Sequence, residues 1–369
     1  MDLIRRTASI PGLVGLIVTV SAVLPSDAPA STQPLSGVMA FGWGNNFQNS
    51  PSVTLPYVDG FTAYFAWRDL ETAEGVYDFE AIDALLEHTS SAGKVLNIGI
   101  YAGSHTPDWA YKQHMTEFRW MRPLKEDQAI RRGKEEEMRS PFPWDPKYLK
   151  LWERFMGVVI RRYGGNEHVG YISITGPTIR DLTNGILLRN DADWNRFRDG
   201  VDVEQRLVDA WIDVIEQYQS INSSQRYALA IGPMRPGSSD VTVAQRITNY
   251  VEEHGYTNIA LMSVFLNDTW FDSGLGSKRI RAILRDAKQK GFTIGYQMAQ
   301  SAQRNSTWKK NKPIVESLAK SFDYGLDDGM QWVEVWHDDI IDRRTGGTNN
   351  KYSAEIRRVH EALTGKSAR

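Results

Sequence analysis

From residue 31 onward the chain repeats one pattern, a short apolar run followed by an amphipathic stretch and then another short apolar run. Alternation of this kind builds β/α units around a parallel sheet, because parallel strands need a crossover and a helix supplies it. About eight such units can be counted, and eight parallel strands close a barrel. The predicted strands are 37–43, 61–67, 95–101, 169–175, 226–232, 259–267, 292–297 and 330–336. Over 147–163, Tyr148, Leu151, Trp152, Phe155, Met156, Val159, Ile160 and Tyr163 share one face at helical spacing, and over 203–218 Val203, Leu207, Ala210, Trp211, Val214, Ile215 and Tyr218 do the same. Such stripes are the faces that helices pack against a barrel. A length of 369 residues suits one barrel, a fold that commonly takes about 250 to 400 residues or more. The expected class is therefore α/β, a single-domain (β/α)8 TIM barrel over 31–369.

Successive residues of a strand face opposite ways, which sorts the predicted strands into inner and outer sets. Asn97, Gly99 and Tyr101 fall on the inner face of one strand, Ser173 and Thr175 of another, and Thr293, Gly295 and Gln297 of a third. In 259–267 the same split places Ser263, Phe265 and Asn267 together. These inner faces are small or polar where a purely structural core would carry Val, Ile and Leu, which points to polar groups gathering at the strand C-termini, where barrel sites lie. The segment 112–140, rich in Lys, Arg and Glu, reads as a long βα loop on that end, with the run Lys134 to Arg139 as its solvated side.

The N-terminus speaks to compartment. Arg5 and Arg6 precede an apolar run from Pro11 to Leu24, and Ala28-Pro29-Ala30 offers a small-residue cleavage site. Residues 1–30 are thus expected to be a signal peptide, with a mature protein that is secreted or periplasmic. The run is shorter than the ~20 residues a spanning helix needs, so no membrane span is expected after cleavage. With 43 Lys+Arg against 45 Asp+Glu and no long basic stripe, nucleic acid is not an expected partner. The absence of Cys excludes disulfides and thiolate metal sites. No H-E-x-x-H spacing supports a catalytic zinc, and no phosphate loop, serine elbow or dinucleotide turn is present, so neither a metal nor a cofactor is expected.

Between 65 and 109 stand Trp67, Leu70, Glu71, Gly75, Tyr77, Asp78, Phe79, Ile82 and Asp83, then Gly93-Lys94, then Pro107 and Trp109. This set resembles the second and third β/α units of clan A glycoside hydrolases, particularly the β-galactosidase-like group. Pro143-Trp144-Asp145-Pro146, followed by a helix and Tyr163-Gly164, is similar to that clan's approach to strand four. The resemblance implies a barrel with a carbohydrate ligand or substrate. It also implies two catalytic Glu residues, an acid/base just after strand four and a nucleophile after strand seven. Here the chain departs from the family: strand four runs into Thr175-Gly176-Pro177-Thr178-Ile179-Arg180-Asp181, and strand seven ends in Gln297. The usual pair has no residue-by-residue counterpart.

A carboxylate does fall in the last strand. In Gln331-Trp332-Val333-Glu334-Val335-Trp336, alternation puts the two Val on one face and Glu334 on the other between aromatic rings, aimed at the barrel mouth. An ionisable group there is costly unless it is hydrogen-bonded or used, although pairing with a neighbouring Arg would also satisfy it. Glycoside hydrolysis needs two carboxyl groups. Asp181 is the candidate for the second, with a turn-capping or Arg180-pairing role open beside it, and Asp338 and Asp339 are alternates. Trp43, Trp67, Tyr101, Trp109, Trp270 and Trp336 fall at or beyond predicted strand C-termini, where rings could stack on a sugar face, and Asn45, His105, Asn267 and Gln297 are candidate hydroxyl partners. Two functions stay open: an exported glycoside hydrolase, or a non-catalytic glycan-binding barrel that has lost the usual Glu pair.

Overall fold

A computed structural model describes residues 35–44, 47, 50–123, 135–180, 182–303, 315, 317–342, 345–348 and 351–367. Its parallel strands are β1 (Gly37–Trp43), β2 (Gly60–Ala66), β3 (Val95–Tyr101), β4 (Val169–Ile174), β5 (Tyr227–Ala230), β6 (Ile259–Leu266), β7 (Ile294–Met298) and β8 (Trp332–Trp336). Each pairs with its neighbour in chain order, and β1 also pairs with β8, with Met39 opposite Glu334, so the sheet closes. Every predicted strand overlaps an observed one, and the result is the single-domain (β/α)8 barrel expected from the sequence. The segment 1–30, expected to be a signal peptide, lies outside the described residues.

The segments after β2 to β8 carry α1 (Glu80–Ser91), α2 (Pro146–Tyr163), α3 (Val203–Ile221), α4 (Thr242–Glu253), α5 (Leu275–Gln289), α6 (Leu318–Asp327) and α7 (Ser353–Thr364). A 3-10 turn, Pro51–Thr54, stands in the β1 to β2 connection. Helix α2 begins where it does because the Asp145 carboxylate accepts from the Lys147 and Tyr148 backbone N–H groups, both at 2.9 Å, and Pro146 presets the first turn. Its stripe of Tyr148, Trp152, Phe155, Val159 and Ile160 is fully buried, and each such side chain stabilises the fold by roughly 1.5–3 kcal/mol through apolar burial.

Two apolar layers result, one between strands and helices and a smaller one inside the barrel. The inner one gathers Leu35, Met39, Tyr171, Ala228, Ala230, Ala260, Met262 and Trp332. Small residues on some strands make room for large ones on others: a Cβ on Gly295 would strike the Trp332 ring, and one on Gly99 the Tyr64 ring. In β6 the expected inner set is corrected. Ala260 and Met262 face the interior, because Met262 stands opposite Gly295 and Ala230. A register shift between Ser263 and Leu266 then breaks the alternation.

The segment 112–140 is more ordered than a loop. Glu117–Pro123 and Glu135–Pro141 form an antiparallel hairpin. From Glu135 to Arg139 the charge run is one strand of that hairpin, and its charges pair across it: Arg119 with Glu137 at 2.7 Å, Arg139 with Glu117 at 2.6 Å, and Arg122 with Glu136. Opposite charges on facing strands stabilise such a ribbon, and an apolar-alternation criterion does not register them.

Candidate active site

Closing a parallel barrel brings all strand C-termini to one end. There Trp43, the last residue of β1, stacks on Tyr101, the last of β3, with ring centroids 5.1 Å apart and planes 23° apart. His105 completes the group at 5.9 Å from Trp43 and 5.3 Å from Tyr101. Trp43 is 43% exposed, an unusual state for so large an apolar ring. Tyr64 of β2 meets Tyr101 edge-on at 5.4 Å and Phe41 at 6.1 Å, and Phe41 packs on Trp336 at 4.4 Å. Aromatic side chains from β1, β2, β3 and β8 thus form one continuous wall.

Below the wall lies a buried polar group of a kind rare in barrel cores. Glu334 is fully buried and points inward, as its strand alternation requires. Thr62 donates to its Oε1 at 2.9 Å, Tyr171 donates to the same oxygen, and Tyr64 lies 3.3 Å from Oε2. Tyr64 also donates to Gln297, the register partner of Glu334 on β7, and Asn97 donates to Thr62 at 3.1 Å. Burial pushes the Glu334 carboxyl up to about 7, against the hydroxyl hydrogen bonds of Tyr171, Thr62 and Tyr64, which favour the ionised form. The sequence reading missed Thr62, Tyr64 and Tyr171, although the same period-two rule applied to 61–67 and 169–175 places all three inward.

His105 sits in a different field. Burial, reinforced by Arg68, Arg180 and Arg122, holds its pKa down to about 3, so the ring is neutral at physiological pH. Arg68 Nη2 lies 3.1 Å from Nδ1. A guanidinium only donates, so Nδ1 is the acceptor and Nε2 carries the proton.

The other candidates divide. Tyr101, Trp336 and Gln297 join His105 and Trp43 at the mouth, with Trp336 half-buried and donating to the Met298 carbonyl at 2.9 Å. Asn45 and Asp181 lie outside the described residues. Trp67 and Trp109 are corrected: neither lines the cleft with Trp336. Trp67 follows β2 in a short helical turn that rotates its ring outward, where it is fully buried among Trp109, Tyr148, Trp152 and Phe155 of the helix layer. Trp109 donates to the Glu71 carbonyl at 2.9 Å in the same layer. Asn267 is corrected as well: it is fully buried and caps the helix Asp268–Ser273 by accepting from Trp270 N at 3.0 Å. Asp339 is buried, accepting from Ser301 at 2.8 Å and from the backbone N–H groups of Ala302 and Gln303 at 2.9 and 2.8 Å. Burial raises its pKa to about 6, opposed by those hydrogen bonds.

A cavity of about 470 Å³ opens beyond β4, β5 and β6, lined by Thr183, Arg189, Pro233, Arg235, Phe265 and Trp270. Among the described residues no group of three or more His, Cys, Asp or Glu could hold a metal ion, and no helix is long and apolar enough to cross a membrane.

Residues 52–176 match the family model described as Beta-galactosidase. No curated protein sequence matches the chain. Among solved structures, a beta-galactosidase from Rahnella sp. R3 superposes with a TM-score of 0.59 at 12% identity, over 92% of this chain and 57% of that one. A beta-galactosidase from the psychrophilic Marinomonas ef1 superposes with a TM-score of 0.50 at 10% identity, over 81% of this chain and 53% of that one. The chain therefore spans a little over half the length of each, and at these identities the likeness is one of fold. The closed barrel and the match over 52–176 together make this chain a (β/α)8-barrel protein similar to the beta-galactosidase family of glycoside hydrolases.

Proposed function

We propose that this protein is an exported glycoside hydrolase that holds an oligo- or polysaccharide against the Trp43–Tyr101–His105 wall, with Glu334 as its principal catalytic carboxyl and Asp181 as the second. One observation carries the reading. Tyr64 touches the aromatic wall on one side and the Glu334 carboxyl on the other, so a proton-exchanging group raised to about 7 stands one side chain from the ligand surface. A carboxyl tuned to that range suits acid catalysis at neutral pH. The wall supplies the apolar face that a pyranose ring stacks on, while Nε2 of His105 and Gln297 supply a donor and an amide for its hydroxyls.

The non-catalytic reading, a barrel that binds glycan without cleaving it, is favoured by a separate observation. Glu334 is closed off from solvent by its three hydroxyl partners, and Gln297 stands where the family resemblance implies a Glu. Incubating the protein with a broad glycan panel and assaying both new reducing ends and binding separates the two. Cleavage supports the hydrolase, whereas binding with no new reducing ends replaces it with the non-catalytic reading.

Two further results are expected. Trp43→Ala removes the exposed stacking ring and should weaken glycan binding by about 10–100-fold, on the scale of 1.4 kcal/mol per tenfold, with an unchanged denaturation midpoint. A midpoint shift with binding intact would make Trp43 a packing residue only. For export, the mature protein recovered outside the cytoplasm should begin near Ser31 on N-terminal sequencing. A mature form that still starts at Met1 rules out the cleavage.

A further inference from the structure

We propose that the glycan taken at this mouth is anionic, its carboxylate or sulfate group received by Arg68 beside the Trp43–Tyr101–His105 stack. This rests on the glycan reading above and narrows its substrate class. Separate connections at the C-terminal end of the barrel carry three arginines and the neutral His105: Arg68 follows β2, His105 follows β3, Arg122 sits on the hairpin that precedes α2, and Arg180 follows β4. Close packing fixes them together. Gly103, at φ +60°, lets the turn before His105 lie on the Ile179 carbonyl, which a Cβ would strike. Ser104 N and the Ser140 hydroxyl both donate to that carbonyl, at 2.8 and 2.7 Å, tying the β3 turn and the hairpin to the segment that carries Arg180.

Arg68 is the member poised for a ligand. Its guanidinium is exposed, its hydrogen bonds go to His105 Nδ1 at 3.1 Å and the Ser104 carbonyl at 3.4 Å, and it makes no ion pair with a described residue. Arg122, by contrast, is paired with Glu136. A guanidinium has five N–H donors in a planar fork that matches carboxylate and sulfate oxygens, so Arg68 keeps donors for an anion. Its imidazole neighbour, being neutral, competes for no anion and serves as a positioning acceptor. The recess that Trp43 shares with Tyr64, about 380 Å³, is lined by Asp69, Asp78 and Glu80. That recess repels an anion, so the anionic group belongs on the His105 side of Trp43.

Calorimetric titration of the full chain with matched oligosaccharide pairs tests this. The probes are oligogalacturonate against its methyl ester, and a sulfated galactan oligosaccharide against its desulfated form. The expected result is that at least one anionic partner binds ~10-fold or more tightly than its neutral counterpart, and that raising the salt concentration erodes the difference. Arg68→Gln should abolish the preference, so that the two members of the pair bind alike. Which pair shows the preference tells carboxylate from sulfate. Equal affinity within both pairs, or a preference that survives Arg68→Gln, overturns the anionic assignment, and so does binding confined to neutral glycans of a broad panel. If no glycan of any charge binds, the glycan reading itself has failed and the anionic inference falls with it.

Discussion

Replacing Glu334 with Gln is expected to lower turnover on a cleaved glycan by roughly 10²–10⁴-fold, the range that a positioned acid or base contributes, while glycan binding and the fold are retained. The amide keeps the size and the acceptor of the carboxyl. The hydroxyls of Thr62, Tyr64 and Tyr171 can rotate to give or take a hydrogen bond, so the inner network stays satisfied. The pH dependence of stability supplies an independent readout. In the folded protein the Glu334 pKa is raised to about 7 from an ordinary 4.5, so between those pH values the native state binds a proton that the unfolded chain has released. Glu334 therefore contributes a loss of stability as pH rises through that window, roughly 3 kcal/mol in all, with no further loss above it, while His105, held down to about 3, contributes a slope of the opposite sign that both proteins share. The Gln variant lacks the Glu334 slope and should be the more stable of the two at pH 8. Asp339 contributes a slope of the same sign up to about 6, but it is common to both proteins and cancels in the comparison. Denaturant midpoints from pH 4 to 8 measure the difference. Turnover that survives Glu334→Gln, or a variant that cannot fold, ends the catalytic assignment.

Trp67→Ala should instead act on the fold, destabilising it by about 3–5 kcal/mol, as loss of a fully buried large aromatic does. The ring stacks on Phe155 at 5.4 Å and meets Trp152 at 5.2 Å. Its Nε1 also donates to the buried Glu71 carboxylate at 2.9 Å, which Gly75 N and Arg154 hold from the other side. Truncation therefore opens a cavity between β2 and α2 and removes one donor from a buried charge. The denaturation midpoint should fall with an unchanged dependence on denaturant concentration, while the folded fraction binds glycan as before. Lost binding with stability intact would return Trp67 to the ligand site. The contrast with Trp43→Ala is instructive, because both are tryptophans at the ends of barrel strands.

What separates the two lies in their backbones. Trp43 is the last residue of a strand still in register with β2, so strict alternation carries its ring to the mouth. Trp67 begins a helical turn directly after β2, and the change of period swings its ring to the helices. Sequence spacing alone does not locate that change. Asn267 fell to a similar ambiguity, since an amide at a strand end is equally a ligand contact or the cap of the next helix. In β6 one register shift was enough to exchange the inner and outer faces.

The amino-acid sequence by itself determined the eight strands, the packing faces of the helices at 147–163 and 203–218, and the inward direction of Glu334. Each is a property of local periodicity, which burial on one face imprints on neighbouring residues. Only the tertiary structure decided that Thr62, Tyr64 and Tyr171 converge on Glu334, that Gln297 shares the Tyr64 hydroxyl, and that Arg68, Arg122 and Arg180 bear together on His105. Those groups are separated by tens to hundreds of positions along the chain. They meet because the closure of β1 on β8 and the stagger of parallel strands set which inner residues share a level of the barrel, and that geometry is not written in any single segment.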